Sequence, residues 1–456
     1  MYPGLKGSLP GIFLLLLLLG SCRSFTDSRS AHFNPEEHYP VQFGICQVGS
    51  MWPEDNGSFR SSPSAYETGI WRHYQETPLK LELFDQMGIQ WWRSDFSWRH
   101  LEPMEGHWSF QRYDWLVEAA AENNKKVLAL LVYDTPWLYG EENRSRDIRA
   151  GELEHYLNYA RTMAERYGDR LGGFEIWNEP NFGRFWNGRD EDFFTLTKET
   201  VRVLKEAAPH VPVAVGALSY HPVTGGKSFL KKMIEAGALE GADAVSIHPY
   251  GASIETAARR VAELRTLLRD SGYDHRIWIT EMGFPTTGLY PHRVELEDHY
   301  ASTIEALTLM YAAGADLITW YKLLDSYNPE EAGLIVHSER SFGLMSRKKE
   351  WKPGAHAYAL LARELQGKTY TPDDLIIEGD WKNSVKAFLF KEGDETAIVL
   401  WSRNPDRDFH LRVEGLNEMT ITGYDPLLQQ TAAVEQIPGD YPVVITGTGG
   451  GIITLK

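Results

Sequence analysis

The chain has 456 residues, 43% of them hydrophobic, with 15 Trp and a formal net charge of −17. That length holds one large domain and a small one and can bury a sizeable core. The negative charge is spread along the chain and argues against a nucleic-acid partner, whose phosphates call for basic patches.

The first segment reads as a targeting signal. Lys6 precedes the apolar run Ile12 to Leu19, and the small residues Gly20-Ser21 lead to Cys22. This is the layout of a secretory signal peptide, and its apolar stretch is too short to span a membrane. Leu19-Gly20-Ser21-Cys22 is similar to a bacterial lipobox. The likeness implies a signal over 1–22, lipidation of Cys22 and a lipid-anchored place in the cell envelope, at the outer membrane or cell surface. Residues 23–40, rich in Ser and charge toward their start, read as a tether. Only one other Cys exists, Cys46, so a lipidated Cys22 leaves no intrachain disulfide.

From Val41 a unit repeats: a short apolar run, then an amphipathic stretch. The runs are Val41-Cys46, Ile89-Ser94, Val127-Tyr133, Gly173-Trp177, Val213-Leu218, Ala244-His248, Ile277-Glu281 and Leu317-Tyr321. Between them, apolar residues recur at three- and four-residue steps, as in Leu153, Tyr156, Leu157, Ala160, Met163, Ala164 and Tyr167. Eight strand–helix alternations predict an α/β fold, a (β/α)8 TIM barrel over 41–366. A doubly wound sheet would want an early Gly-rich phosphate loop, and none follows the first strands. Asp243 and Asp316 each stand just before a strand. After Gly367 the pattern shortens to alternating runs such as Val385-Phe390, Thr396-Trp401 and Val443-Ile445. These predict a small C-terminal antiparallel β-sandwich over 367–456, with residues flanking the first strand able to pair with it.

Barrel enzymes carry their chemistry at the C-terminal ends of strands. The second run ends in Arg93 and Asp95, with Trp98 beyond. The third ends in Tyr133, with Asp134 and Trp137 beyond. The fourth gives Asn178 and Glu179, the sixth His248 and Tyr250, the seventh Glu281 and the eighth Trp320. Two carboxylates among aromatics and hydrogen-bonding groups suit a sugar. Glycoside hydrolysis needs one carboxyl that holds a proton and one that is ionised. Strands four and seven lie across a barrel from each other, so Glu179 and Glu281 can flank a bound sugar. Trp91 and Trp92 are adjacent, so only one can face the barrel interior.

These residues carry a resemblance. Ile176-Trp177-Asn178-Glu179-Pro180-Asn181 resembles the acid/base motif of clan A retaining glycoside hydrolases, and Ile279-Thr280-Glu281-Met282-Gly283 resembles their nucleophile strand. Arg93, His248-Pro249-Tyr250 and Trp320 are similar to further clan positions. Asp95-Phe96-Ser97-Trp98 with Leu101-Glu102-Pro103, and Tyr133-Asp134-Thr135-Pro136-Trp137, most resemble glycoside hydrolase family 39; families 5 and 51 share much of the pattern. The resemblance implies a β-glycosidase acting by double displacement, with Glu281 as nucleophile and Glu179 as acid/base. It implies that Asn178 binds the sugar 2-hydroxyl, that Arg93 keeps Glu281 ionised, and that His248 and Tyr250 line the site. Trp320 is expected as a sugar platform, Trp186 on the leaving-group side, and Trp98 and Trp137 at the rim. No His-x-x-x-His, Cys pair or acidic Ca²⁺ loop occurs, so neither metal nor cofactor is expected. A surface glycan-binding lipoprotein on the same barrel is the alternative to an enzyme.

Overall fold

A computed structural model of the chain describes residues 39–46, 81–139, 146–221, 223–288, 292–326, 340–378, 385–402, 412–425, 430–433, 441–449 and 452–455. The signal, the lipidation position Cys22 and most of the tether lie outside these residues.

Eight parallel strands close into a barrel in chain order. They are β1 (Gln42–Cys46), β2 (Trp91–Ser97), β3 (Lys126–Val132), β4 (Gly173–Ile176), β5 (Val213–Ser219), β6 (Ala244–His248), β7 (Arg276–Met282) and β8 (Leu317–Tyr321). β1 closes the ring on β8, with Ile45 beside Trp320. Each predicted run is a strand, because β-branched and aliphatic residues buried on both faces favour a parallel sheet covered by helices. The largest shift in bounds is at β2, which starts at Trp91 and runs on to Ser97.

The floor of the barrel is a layer of Trp91, Leu128, Ala214, Ala244, Trp278 and Leu317. Two indoles in one layer, their rings 5.7 Å apart, leave little room for their neighbours. Gly44 supplies the missing space, since a Cβ there would lie 2.8 Å from the Trp91 Cβ. Trp92 points the other way and packs on Phe84. The helix Leu153–Tyr167 buries the predicted stripe against the barrel's outer face.

At the floor, the two aspartates that precede strands each bind the start of a neighbouring strand. Asp243 Oδ2 accepts from the Val213 N–H at 2.7 Å, and Asp316 Oδ2 accepts from the Ile277 N–H at 2.7 Å. Asp316→Ala leaves a buried N–H unpaired. We expect a loss of about 1–3 kcal/mol in urea unfolding with kcat unchanged, because the residue lies at the end of the barrel opposite the carboxylates.

The C-terminal segment forms two sheets. The larger is antiparallel, in the order Gln430–Ala433, Asn417–Asp425, Val443–Thr448, Glu395–Ser402, Val385–Glu392, Thr369–Tyr370. The smaller holds Leu375–Ile377, Ile453–Leu455 and Val413–Glu414, and its first pair is parallel. Period-two alternation gives the larger sheet two apolar faces. Leu389, Ile398 and Ile445 join the core shared with the smaller sheet. Phe390, Val399 and Val444 join the barrel's own core, and Tyr424 stacks on Tyr300 of the barrel at 4.6 Å. The residues flanking β1 do pair with this region, as Val41 N donates to Lys368 O and Gly367 N to Val41 O.

Candidate active site

Trp91 lies in the barrel floor, so Arg93 and Asp95, two and four residues on, share its inward face. Arg93 is fully buried. Its Nε donates to Glu175 Oε2 at 2.5 Å, its Nη1 to Glu281 Oε1 at 2.7 Å and its Nη2 to Asn178 Oδ1 at 3.0 Å. One guanidinium thereby ties β2 to β4 and β7, and two anions bordering it hold its charge in place.

Glu281 reaches that guanidinium because β7 is irregular. Strict alternation would turn Glu281 away once Trp278 and Thr280 face inward. The register between β7 and β8 shifts between Ile279 and Met282, and the bulge brings Thr280 and Glu281 to the same side. Two strands away, β5 carries its own bulge between Val215 and Leu218. There the Ala217 carbonyl accepts from the Glu179 N–H at 3.0 Å. Trp177 and Glu179 take positive φ, +65° and +44°, a conformation costly for residues with a Cβ and one that collects at functional sites. The turn is pinned by Trp177, which is fully buried and donates its Nε1–H to the Phe185 carbonyl at 2.9 Å.

His248 stands between the two carboxylates. Its Nδ1 lies 3.0 Å from Glu179 Oε1 and 3.9 Å from Glu281 Oε2, and its Nε2 lies 3.1 Å from Thr280 Oγ1. The proton order follows from the partners. Thr280 Oγ1 donates to Glu175 Oε1 at 2.7 Å, since the ion-paired Glu175 can only accept. The Thr280 oxygen must then accept from His248 Nε2–H. That assignment directs Nδ1 at Glu179, and a single proton bridges them. Glu175–Thr280–His248–Glu179 is thus a hydrogen-bonded chain running under the cleft.

Burial pushes the Cys46 thiol up, with the Glu281 charge adding to it, so it stays protonated against Arg93 Nη1 at 3.3 Å. Burial also pushes the Asp95 carboxyl up to about 6 from an ordinary 3.8; Arg93 pulls it down and Glu281 pushes it further up. A value raised by folding gives stability that is full below pH 3.8 and lost as pH rises through 6. Asp95→Asn should therefore be more stable than wild type by about 1–3 kcal/mol at pH 8, with the difference vanishing near pH 4, as read by urea unfolding.

Arg93, Asn178, Glu179, His248 and Glu281 lie together at this end of the barrel. Tyr250 borders them, its ring between His248 and Phe342. The tryptophans do not. Trp320 is fully buried against Phe284 on the outward face of β8, because the inward set begun by Leu317 continues through Thr319 and Tyr321. Trp98 is fully buried, stacked on Tyr159 at 5.3 Å, with Nε1 donating to Glu102 at 2.7 Å. Trp186 is buried against Trp177 and Phe193. Trp137, half-buried, donates to the Glu102 carbonyl at 3.0 Å and packs on Trp98. Trp98, Trp186 and Trp137 hold the loops that carry the site; Trp320 packs under the helices.

Reading the sequence missed Glu175, Thr280 and a role for Asp95. Glu175 had a signal: it is the one charge within the apolar strand Gly173–Ile176. Among the described residues, no group of three His, Cys, Asp or Glu is arranged to hold a metal ion, and no helix is long and apolar enough to cross a membrane.

A parallel barrel whose two facing carboxylates, beyond β4 and on β7, border one histidine of β6, the second of them held by an arginine of β2, defines a clan A glycoside hydrolase barrel. The chain belongs to the cellulase family, glycosyl hydrolase family 5, whose model matches residues 55–321. A β-xylosidase of Geobacillus stearothermophilus is 24% identical over 272 residues, which cover 54% of this chain and 51% of that protein. The chain thus spans about half the length of the curated relative it matches. Among solved structures, a family 39 glycoside hydrolase of Bacteroides cellulosilyticus has a TM-score of 0.65 at 17% identity, covering 91% of this chain and 82% of that one. A monomeric β-xylosidase of Caulobacter crescentus has a TM-score of 0.60 at 16% identity, covering 90% and 97%. The likeness to family 39 that the motifs suggested is therefore present in the fold.

Proposed function

We propose that the protein is a retaining glycoside hydrolase that cleaves β-glycosidic bonds in an oligo- or polysaccharide. The observation that carries this reading is the pair Glu179 and Glu281, which meet the same His248 nitrogen at 3.0 and 3.9 Å. Their nearest oxygens therefore stand no more than about 7 Å apart, which accommodates the separation of about 5–5.5 Å that direct attack requires. Glu281, held ionised by Arg93, attacks the anomeric carbon and forms a glycosyl ester. Glu179 protonates the leaving oxygen as the glycosidic bond breaks. It then takes a proton from the water that opens the ester, and Glu281 leaves as carboxylate. Once Glu281 is esterified its charge is gone, which eases ionisation of Glu179 for the second step. Asn178, oriented by Arg93, is placed to bond the sugar 2-hydroxyl.

Aryl β-xylosides are the first substrates to try, since the curated relative is a β-xylosidase. Proton NMR of fresh hydrolysate checks the mechanism: the β-anomer should appear first and mutarotate. The α-anomer appearing first would overturn retention. Binding of a glycan without cleavage would favour the glycan-binding lipoprotein.

We also propose that Cys22 carries a lipid that anchors the protein in a bacterial envelope, supported by the lipobox-like Leu19–Cys22. Labelling cells with an alkyne fatty acid should mark the wild-type chain and leave Cys22→Ser unmarked.

A further inference from the structure

We propose that Asp95 is a specificity-determining residue of the cleft, accepting a hydrogen bond from one ring hydroxyl of the sugar seated against Glu281. This rests on the glycosidase reading and extends it to a neutral pyranoside whose free hydroxyl is recognised by a third carboxyl.

Asp95 follows Arg93 by two residues on the inward face of β2, about 7 Å nearer the mouth of the barrel. Arg93 is the level at which Glu281 is bound, so Asp95 stands at the level of whatever lies on Glu281. Its partner in register on β3 is Leu130, which offers no polar group.

Asp95 also has a bond unmade. Its Oδ1 is shielded from solvent and has no hydrogen-bond partner among the described residues. Arg93, whose charge acts on Asp95, directs its bonds to Glu175, Cys46, Glu281 and Asn178. Buried carboxyl oxygens are rarely left so. The Asp95 charge is felt by the Cys46 thiol and the Tyr133 phenol, which places it among β1, β3 and the nucleophile. A carboxyl kept beside Glu281, where burial and repulsion both oppose its charge, is of little use to the fold. It is of use to a ligand that brings its own O–H donor. No proton transfer is assigned to it: Asp95 positions the ring and selects it.

The test uses p-nitrophenyl β-D-xylopyranoside, or whichever p-nitrophenyl β-glycoside the enzyme cleaves, with its 2-, 3- and 4-deoxy analogues. Wild type, Asp95→Ala and Asp95→Asn are compared by kcat/KM. Loss of one hydroxyl should cost wild type about tenfold or more. In Asp95→Ala the same analogue should differ from its parent by less than about twofold. Asp95→Asn, which keeps an acceptor, should fall between. The ratio within one variant is independent of how much of it is correctly folded. The proposal is overturned if Asp95→Ala discriminates among all the analogues as wild type does. The same series titrated calorimetrically into Glu281→Gln separates the two readings. Coupling that survives in binding while wild type cleaves nothing leaves Asp95 its role and sinks the hydrolase. Cleavage without coupling does the reverse.

Discussion

Glu281→Gly should turn over an aryl β-glycoside at least about 10⁴-fold more slowly than wild type, and sodium azide should restore turnover with release of an α-glycosyl azide. The size follows from what Glu281 provides. It is the nucleophile, and the group that bonds it, Arg93 Nη1, can only donate and offers no nucleophile in its place. Azide needs no deprotonation and fits the space the carboxylate leaves. Attack from that side once gives inversion, hence the α product. Glu179→Ala should behave differently. Removing a general acid costs about 10²–10⁴, and least for a leaving group such as 2,4-dinitrophenolate that needs no proton. Azide then enters from the other face after the glycosyl-enzyme has formed, and the product is the β-glycosyl azide. Opposite anomers from the two variants assign the two roles independently of any rate. The same anomer from both would remove the assignment.

The eight barrel strands were legible because burial on both faces writes each of them as a continuous apolar run. Glu179 and Glu281 were legible because each follows such a run at a predicted strand end. What escaped depends on partners distant in sequence. Glu175 has meaning only beside Arg93, 82 residues away, and Thr280 only beside both Glu175 and His248. The bulge that turns Glu281 inward leaves no mark in the residue order, although without it the strand would present Thr280 alone. Trp320 was a different case. Its outward face could have been found by counting in twos from the floor residue Leu317, and the appeal of an aromatic at a strand end obscured that count. Trp98 and Trp186 show why an aromatic near a site is ambiguous: their stacking partners come from elements that only folding brings near.

Arg93→Met should destabilise the fold by about 3–5 kcal/mol at pH 7, as well as silencing the enzyme. The cost is not chiefly the lost attraction. Glu175 has no exposed surface and has two partners, Arg93 and the Thr280 hydroxyl. Without the guanidinium a carboxylate is left in the wall of the barrel with one hydroxyl to compensate it, and an uncompensated buried charge is the expensive species. The double variant Arg93→Met/Glu175→Gln tests this. The glutamine keeps the shape of the side chain it replaces. Its amide oxygen still accepts from Thr280, and the fully buried charge of Glu175 is gone. Most of the lost stability should return, to within about 1–2 kcal/mol of wild type in urea unfolding. Activity should not return, because Glu281 and Asn178 have still lost the donor that orients them. Stability and catalysis would then separate at one residue: the Nε edge of Arg93 serves the fold through Glu175, and its two Nη groups serve the site. If the double variant unfolds as readily as Arg93→Met alone, the bonds to Glu281 and Asn178 hold the barrel together as well, and the division between the two edges is lost.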